Sequence, residues 1–382
     1  MLRIKALTKV IACKLLIVWV TSLIIVAKQL PVYALDNPSI DELITRFHLK
    51  VSDKPSKKHP LYKQPEKVVV WDRGTLVKTL KVSYPNINFV AVNSMDGINK
   101  EVVDADVFLG FCAEPLKTLK TSLRFIQSLS VGVERCASSD PLKKRGVLVS
   151  NIQKMSGPEI AEHAIAMMMT LVRGLDKYQD AQRESRWDRS IMSNDNDIWE
   201  IEGRTLLVVG LGGIGTEVAK RAHGLGMRVI ATRNSSRNGP DFVDYVGLSN
   251  ELNGLVKRAD VVVNTLPMTD KTAEIINRSV FADMPSHAYY INVGRGGTTD
   301  QEALVEALKS GAIAGAGLDV TSPEPLPAEH PLWTIPRVII TPHMAARSDK
   351  YQQRVQTLVL DNFKRYIEGR KILNEVDLAR GY

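Results

Sequence analysis

The chain has 382 residues, of which 44% are hydrophobic and 24% are charged, and its formal net charge is +8 at pH 7. This length suits two ordinary domains, and the composition is that of a globular protein with a sizeable core. Such a chain needs neither a disulfide framework nor a structural metal to fold, which excludes the small stapled scaffolds.

The first 34 residues have the layout of a secretory signal peptide. Basic residues precede the uncharged apolar run 15–27, and Val32 and Ala34 suit the minus-three and minus-one positions of a cleavage site after Ala34. The run is shorter than the ~20 apolar residues of a comfortable membrane span. We therefore predict export to the periplasm or the medium, with no membrane attachment after cleavage. A membrane anchor that stays uncleaved is the alternative.

Removal of this segment changes the charge and cysteine arguments. It carries five basic and no acidic residues, so the formal net charge falls from +8 to +3, which is too mild to predict a nucleic-acid partner. Cys112 and Cys136 could pair in an oxidising compartment, but isolated cysteines are more often buried thiols, and we expect thiols. No Cys/His spacing predicts a metal site, and residues 35–65 are interpreted as a linker.

Two successive series of β-rich runs alternate with helix-compatible segments, which predicts an α/β fold with mainly parallel sheets. The first series lies at 67–71, 89–92, 107–110, 125–129 and 147–149, and the second at 206–209, 228–231, 261–264, 289–292, 315–319 and 338–340. A helix over 157–173 is predicted to cross between the series, and one over 348–366 to return to the first. We assign 159–346 to a doubly wound Rossmann cofactor domain. Residues 66–158 and 347–382 are assigned to a smaller, discontinuous, flavodoxin-like substrate domain.

A glycine-rich fingerprint follows the first strand of the second series. It has the pattern G-x-G-x-x-G, carried by Gly210, Gly212 and Gly215, with Gly213 and Ile214 between them. Because it follows a strand and opens a helix, it predicts a dinucleotide site instead of a tight turn without a ligand. Gly210 permits the turn, Gly212 lets the backbone approach the pyrophosphate, and Gly215 lets the helix pack on the strand. The helix N-terminus offers N–H groups to the anion.

The next strand leads to Arg233, at a place where an NAD-binding unit usually has an acidic residue that holds the ribose 2′-hydroxyl. Asn234 and Ser235 follow it. A guanidinium with amide and hydroxyl neighbours would bind a 2′-phosphate, which a carboxylate would repel. We therefore predict a preference for NADP(H) over NAD(H). The alternative is that Arg233 stacks on adenine and that both cofactors bind.

Three polar residues follow apolar, strand-like runs in the last quarter of the chain. Arg295 lies in Asn-Val-Gly-Arg-Gly-Gly, Glu324 in Ser-Pro-Glu-Pro-Leu and His343 in Thr-Pro-His-Met-Ala-Ala. Open α/β sheets bind their ligands at the carboxyl ends of the strands. A cation, a carboxylate and an imidazole at these ends predict acid/base chemistry on a carboxylated substrate.

With the fingerprint and the segment 315–320, these motifs resemble, in the same order, those of the D-2-hydroxyacid dehydrogenase family. The resemblance implies that Arg295 binds the substrate carboxylate and carbonyl oxygen, that His343 exchanges a proton and that Glu324 orients the imidazole. It also implies a small 2-oxoacid or 2-hydroxyacid substrate and a homodimer. Cofactor contacts are implied for Pro267, Thr272, Val293, Arg295, Asp319 and His343.

Val131 and Gly132, in the first domain, resemble the family's loop whose backbone N–H groups meet the substrate carboxylate. Gly294 stands where the family has alanine, which we interpret as a mild change, and the export signal is unusual because members usually work in the cytosol. The predicted function is an NAD(P)-dependent reductase of glyoxylate or hydroxypyruvate type. A non-catalytic cofactor-binding or sensing protein, and a phosphite or formate dehydrogenase of the same fold, are the alternatives.

Overall fold

Two parallel β-sheets organise the residues that the structure describes. In this computed structural model these are residues 37–72, 76–191 and 198–380. The predicted signal peptide, residues 1–34, lies outside the described residues. Within the three described ranges, no helix combines the length and the apolar character that crossing a bilayer requires.

The first sheet has five strands in the described chain: β1 Lys67–Trp71, β2 Asn88–Val92, β3 Val107–Gly110, β4 Phe125–Ser128 and β5 Leu148–Ser150. Their order is β2-β1-β3-β4-β5 with every neighbouring pair parallel, an order typical of the predicted flavodoxin-like fold. Residues in the middle of β1, such as Val69, are fully buried, because helices cover both faces of a parallel sheet. The helices of this half are α2 Leu76–Ser83, α3 Met95–Glu101, α4 Glu134–Ala137 and α5 Asp140–Arg145.

Helix α1, Ile40–Phe47, lies in the segment that we interpreted as a linker. The Ser39 hydroxyl caps it by accepting a hydrogen bond from the Glu42 N–H at 3.2 Å. Leu43 and Phe47 are buried in the same hydrophobic cluster as Val68 and Val70 of β1. This part of the segment therefore belongs to the core.

Helix α12, Tyr351–Ile367, returns to the first sheet and contributes buried apolar side chains to the same cluster. The side-chain amide of its buried Asn362 donates to Gln127 Oε1 at 2.8 Å and to Ser150 Oγ at 3.0 Å. These bonds tie α12 to β4 and β5. The domain boundaries drawn from the sequence stay a prediction.

The second sheet has seven strands in the described chain: β6 Thr205–Val209, β7 Arg228–Thr232, β8 Tyr245–Gly247, β9 Val261–Asn264, β10 Tyr289–Asn292, β11 Gly315–Leu318 and β12 Val338–Ile340. Their order is β12-β11-β10-β9-β6-β7-β8, with every neighbouring pair parallel. This is the doubly wound arrangement that we predicted, with its switch point between β6 and β9. We did not predict β8, an edge strand whose sequence Tyr-Val-Gly holds a single aliphatic residue and so forms no apolar run.

The helices of this half are α6 Gly157–Val172, α7 Leu175–Arg183, α8 Gly213–Gly224, α9 Leu252–Val256, α10 Arg278–Asp283 and α11 Gln301–Ser310. The predicted crossing helix, α6, packs on α8, β10 and β11. A buried ion pair between Arg354 Nη1 and Glu159 Oε2, 3.0 Å apart, joins α12 to the first turn of α6. The crossing helix is therefore anchored to both halves of the fold.

The carboxyl ends of three adjacent strands lie in register at one edge of the second sheet. Asn292 pairs with Leu318, and Leu318 pairs with Ile340. The loops that leave these strands carry Arg295 and His343, so both residues start from the same edge. The predicted placement of the polar residues at strand ends follows from this register.

A disulfide joins Cys112, just after β3, to Cys136 in α4. Our expectation of two free thiols was therefore wrong. The two positions are 24 residues apart and meet only because β3 and β4 are neighbours in the sheet, which no local spacing reveals. The bond fixes the short helix that begins at Glu134 against the end of β3.

Candidate active site

The fingerprint glycines form an open cradle at the switch point of the second sheet. Gly210 has a φ of 97°, a left-handed conformation that favours glycine. A Cβ on Gly215 would lie 2.3 Å from the Gly210 carbonyl oxygen, so only glycine lets α8 approach β6 this closely. A Cβ on Gly212 would meet no atom within 4 Å, so space is open in front of the α8 N-terminus. This cradle fits a dinucleotide pyrophosphate.

Arg233 follows β7 at the edge of this cradle. Its Nη1 atom donates to the Asn238 carbonyl at 3.0 Å, and its neighbours Asn234 and Ser235 are exposed. Arg237, four residues on, is instead engaged by Glu251, whose Oε1 atom lies 2.7 Å from its Nη2 atom. The guanidinium of Arg233 thus binds a neutral carbonyl, whereas that of Arg237 binds a carboxylate. The positive charge of Arg233 is therefore the better placed of the two to bind an anion.

The other predicted cofactor residues lie around the loops after β9 and β10. The Thr272 hydroxyl donates to the Pro267 carbonyl at 2.6 Å and closes the first loop. Val293 is buried in a hydrophobic core cluster, and Ile214, at the start of α8, is half-buried and packs against the same cluster. A Cβ on Gly294 would lie 2.7 Å from the Leu266 carbonyl oxygen, so two backbones approach there more closely than alanine allows. The change from the family's alanine is therefore not mild in this chain.

His343 and Glu324 form a hydrogen-bonded pair. His343 Nδ1 lies 2.8 Å from Glu324 Oε2, and the Thr321 N–H donates to Glu324 Oε1 at 3.2 Å. The hydrogen bond to Glu324 raises the pKa of His343, while burial opposes it. Burial alone would raise the pKa of Glu324, but His343, the Thr321 N–H and the charge of Arg295 together lower it. The carboxylate therefore favours a protonated imidazole and leaves Nε2 as the nitrogen that exchanges a proton.

Asp319 holds the turn that carries His343. Its buried carboxylate accepts from the Thr341 hydroxyl at 2.6 Å and from the N–H groups of Met344 at 2.9 Å and Ala345 at 3.0 Å. The His343 backbone has a φ of 55°, a region that residues other than glycine seldom occupy. These three bonds hold that conformation, so the imidazole extends from a rigid turn. The contact of Asp319 with the nicotinamide end stays a prediction.

His163 on α6 supports the same turn. Its Nε2 atom lies 2.9 Å from Thr341 Oγ1 and 3.8 Å from Asp319 Oδ1. The Thr341 hydroxyl therefore connects the crossing helix to the carboxylate that fixes His343. Sequence reasoning missed Thr341, although it lies two residues before the histidine in the same motif.

Arg295 connects the second sheet to the substrate loop of the first. Its Nε atom donates to Glu134 Oε1 at 2.8 Å. A Cβ on Gly132 would lie 2.3 Å from its Nη2 atom, so the guanidinium lies directly on this loop. The loop is itself fixed, because the Asn151 side-chain amide donates to the Val131 carbonyl at 2.8 Å. The predicted substrate residues of the two halves therefore meet.

The three predicted catalytic residues lie close enough to act on one another. The charge of Arg295 contributes to lowering the pKa of Glu324 and opposes the rise in the pKa of His343. Glu134 was missed, although an acidic residue two positions after the glycine of the substrate loop could have marked it. The assembled group offers a cation for a carboxylate, a proton donor and a carboxylate that orients this donor.

This chain is similar to known proteins in both sequence and fold. Residues 165–345 match the sequence profile of the family described as "D-isomer specific 2-hydroxyacid dehydrogenase, NAD binding domain". The glyoxylate reductase of Korarchaeum cryptofilum is 32% identical over 277 residues, covering 71% of this chain and 82% of that protein. The hydroxypyruvate reductase of Thermotoga maritima is 29% identical over 315 residues, covering 82% of this chain and 95% of that protein. The solved structure of an NADPH-dependent glyoxylate/hydroxypyruvate reductase from Sinorhizobium meliloti, in complex with NADP and malonate, is 26% identical with a TM-score of 0.66, covering 83% of this chain and 98% of that chain.

Proposed function

Since this chain belongs to the D-isomer specific 2-hydroxyacid dehydrogenase family and is an NAD(P)-dependent oxidoreductase of 2-hydroxyacids and 2-oxoacids, we propose that it reduces small 2-oxoacids with NADPH. The observation that carries the cofactor preference is Arg233 after β7, in the place of an acidic residue that would repel a 2′-phosphate. The names of the relatives, glyoxylate reductase and hydroxypyruvate reductase, support the substrate class.

The residues of the site divide the work of the reaction. When bound, the reduced nicotinamide supplies the hydride. Arg295 binds the substrate carboxylate and carbonyl oxygen through the N–H donors that do not bind Glu134 and the Gly294 carbonyl, and the backbone of Val131 and Gly132 lies beside these donors. His343 donates the proton that the carbonyl oxygen needs as it becomes a hydroxyl. Glu324 stabilises the positive charge that the imidazole carries before this transfer.

Different residues hold the cofactor. The backbone at Gly210, Gly212 and Gly215, with the N-terminus of α8, would hold the pyrophosphate, while Arg233 with Asn234 and Ser235 would hold the 2′-phosphate. Arg237 is already engaged by Glu251. It therefore provides a matched control for Arg233.

The test is a substrate screen on the mature protein. Glyoxylate, hydroxypyruvate, pyruvate and phenylpyruvate are each offered with NADPH and with NADH, and cofactor oxidation is followed by absorbance. We expect turnover with at least one acid and a lower dissociation constant for NADPH than for NADH. Binding of NADPH without turnover of any acid would contradict the reductase and favour a cofactor sensor.

The cofactor preference has its own test. Arg233→Asp should move the preference toward NADH, whereas Arg237→Ala should leave the ratio of the two dissociation constants close to that of the wild type. NADH binding as tightly as NADPH in the wild type would refute the preference, whatever the turnover.

We also propose that the protein is exported and forms a homodimer. The disulfide between Cys112 and Cys136 supports an oxidising compartment. A C-terminally tagged protein should have lost its first 34 residues when it is isolated, which mass spectrometry of the intact chain can show, and light scattering gives the oligomeric state. Retention of the first 34 residues would favour the membrane-anchored alternative.

A further inference from the structure

Lys154, which is not part of the second sheet, packs against the glycine-rich fingerprint. It belongs to the short connection between β5 and α6. Its Cγ atom lies 3.0 Å, and its Cα atom 3.3 Å, from the position that a Cβ on Gly213 would take. The lysine therefore packs on the first residue of α8, at the end of the helix where the cradle is open.

The backbone of Lys154 is also unusual. Its φ is 70°, in the left-handed region that favours glycine. When a residue other than glycine adopts this conformation beside a ligand cradle, we infer that its side chain has a function there. Glycine would suit the backbone better, so packing of the main chain alone does not account for a lysine there.

The ammonium group has a replaceable partner. Lys154 Nζ donates to the carbonyl of His48, an exposed residue just after α1, at 2.6 Å. Burial, and then the nearby charge of Arg233, lower the pKa of Lys154. An anion bound between these two cations would reduce their mutual repulsion, and the nearby N-terminus of α8 would also attract it.

We propose that Lys154 is a second phosphate-binding cation of the dinucleotide site, which releases the His48 carbonyl and contacts a cofactor phosphate together with Arg233. This inference rests on the proposed function, since it names a further residue for the same cofactor. Two phosphates share the required chemistry, the 2′-phosphate and the pyrophosphate. The cation comes from the connection that leads into the crossing helix, so binding of the phosphate also ties that connection to the cofactor.

The test measures binding of nucleotides that carry no nicotinamide, so that turnover plays no part. Dissociation constants for 2′,5′-ADP and for 5′-ADP are measured by calorimetry on the full mature chain. The variants are Lys154→Met, which removes the charge, and Lys154→Gly, which also suits the left-handed backbone. Lys220→Met, an exposed lysine farther along α8, is the control for net charge.

We expect both Lys154 variants to weaken binding of at least one of the two nucleotides by about tenfold, the effect of one charged hydrogen bond, while Lys220→Met stays within about twofold. A loss confined to 2′,5′-ADP, which has no pyrophosphate, assigns the 2′-phosphate, and a loss confined to 5′-ADP, which has no 2′-phosphate, assigns the outer phosphate of the pyrophosphate. An equal loss for both assigns the 5′-phosphate that they share, which is the adenosine side of the pyrophosphate. Binding of both nucleotides as tight as that of the control, in variants with a wild-type thermal midpoint, would overturn the proposal alone. A wild-type protein that binds neither nucleotide would overturn the proposed cofactor as well.

Discussion

The carboxylate of Glu134 holds the guanidinium of Arg295 across the two halves of the fold, with 2.8 Å between Oε1 and Nε. The Gly294 carbonyl accepts a second bond, from Nη1, at 2.8 Å. The guanidinium is thus oriented before any substrate arrives. The Nη2 atom is left beside the substrate loop at Gly132, where a carboxylate can reach it.

Replacement of Glu134 should therefore weaken substrate binding more than turnover. Both side chains are partly exposed, so we expect their ion pair to favour the oriented guanidinium by about 1 kcal/mol. Loss of this contribution in Glu134→Ala should raise KM for the 2-oxoacid about fivefold. Glu134→Gln keeps an acceptor oxygen and should recover part of this loss. Steady-state kinetics with saturating NADPH checks both variants, and a fall in kcat with unchanged KM would contradict the positioning role.

Removal of the proton donor should have the opposite signature. We expect His343→Ala to lower kcat by ~10²–10⁴-fold, the usual contribution of a positioned general acid. The dissociation constant for NADPH, measured by fluorescence, should stay close to that of the wild type. His223→Ala, on the exposed face of α8, is the matched histidine control and should retain turnover. Wild-type kcat in His343→Ala would remove His343 from the mechanism.

The His343–Glu324 pair predicts the pH dependence of reduction. Reduction needs a protonated imidazole, and the bond to Glu324 raises the pKa of His343, so kcat/KM should fall only as pH rises through this raised value. In Glu324→Gln the charge is lost, so the pKa of His343 should fall and the descending limb of the profile should move to lower pH. A profile whose descending limb does not move would show that another group supplies the proton.

The close approach at Gly294 predicts a stability effect. A Cβ there would meet backbone atoms of Leu266, which cannot move aside as a side chain can. We expect Gly294→Ala to lower the free energy of unfolding by ~1–3 kcal/mol, the range for overpacked sites. Gly254→Ala is the control, because a Cβ on this helical glycine would meet no atom within 4 Å. The free energy of unfolding, measured with urea, should not fall in Gly254→Ala.

The features of this molecule that could be predicted each depend on residues that lie close together in the sequence. The two sheets follow from apolar runs at regular intervals, and the fingerprint and the His343 motif are short segments that follow such runs. The contact of Glu134 with Arg295 could not be found in this way, because 161 residues separate the two. The contact of Lys154 with His48 spans 106 residues. Such pairs meet only through tertiary packing, and local sequence patterns do not reveal that packing.

The position of α12 determines the order in which a nascent chain can fold. The first sheet leaves the ribosome first, yet its core includes Phe363 and Tyr366, near the end of α12. The strands of the second sheet, by contrast, all lie between residues 205 and 340. The half that is synthesised second can therefore close first, while the half that is synthesised first keeps an apolar wall uncovered until α12 has been synthesised. A ribosome stalled before residue 351 would leave this wall exposed for a chaperone to bind.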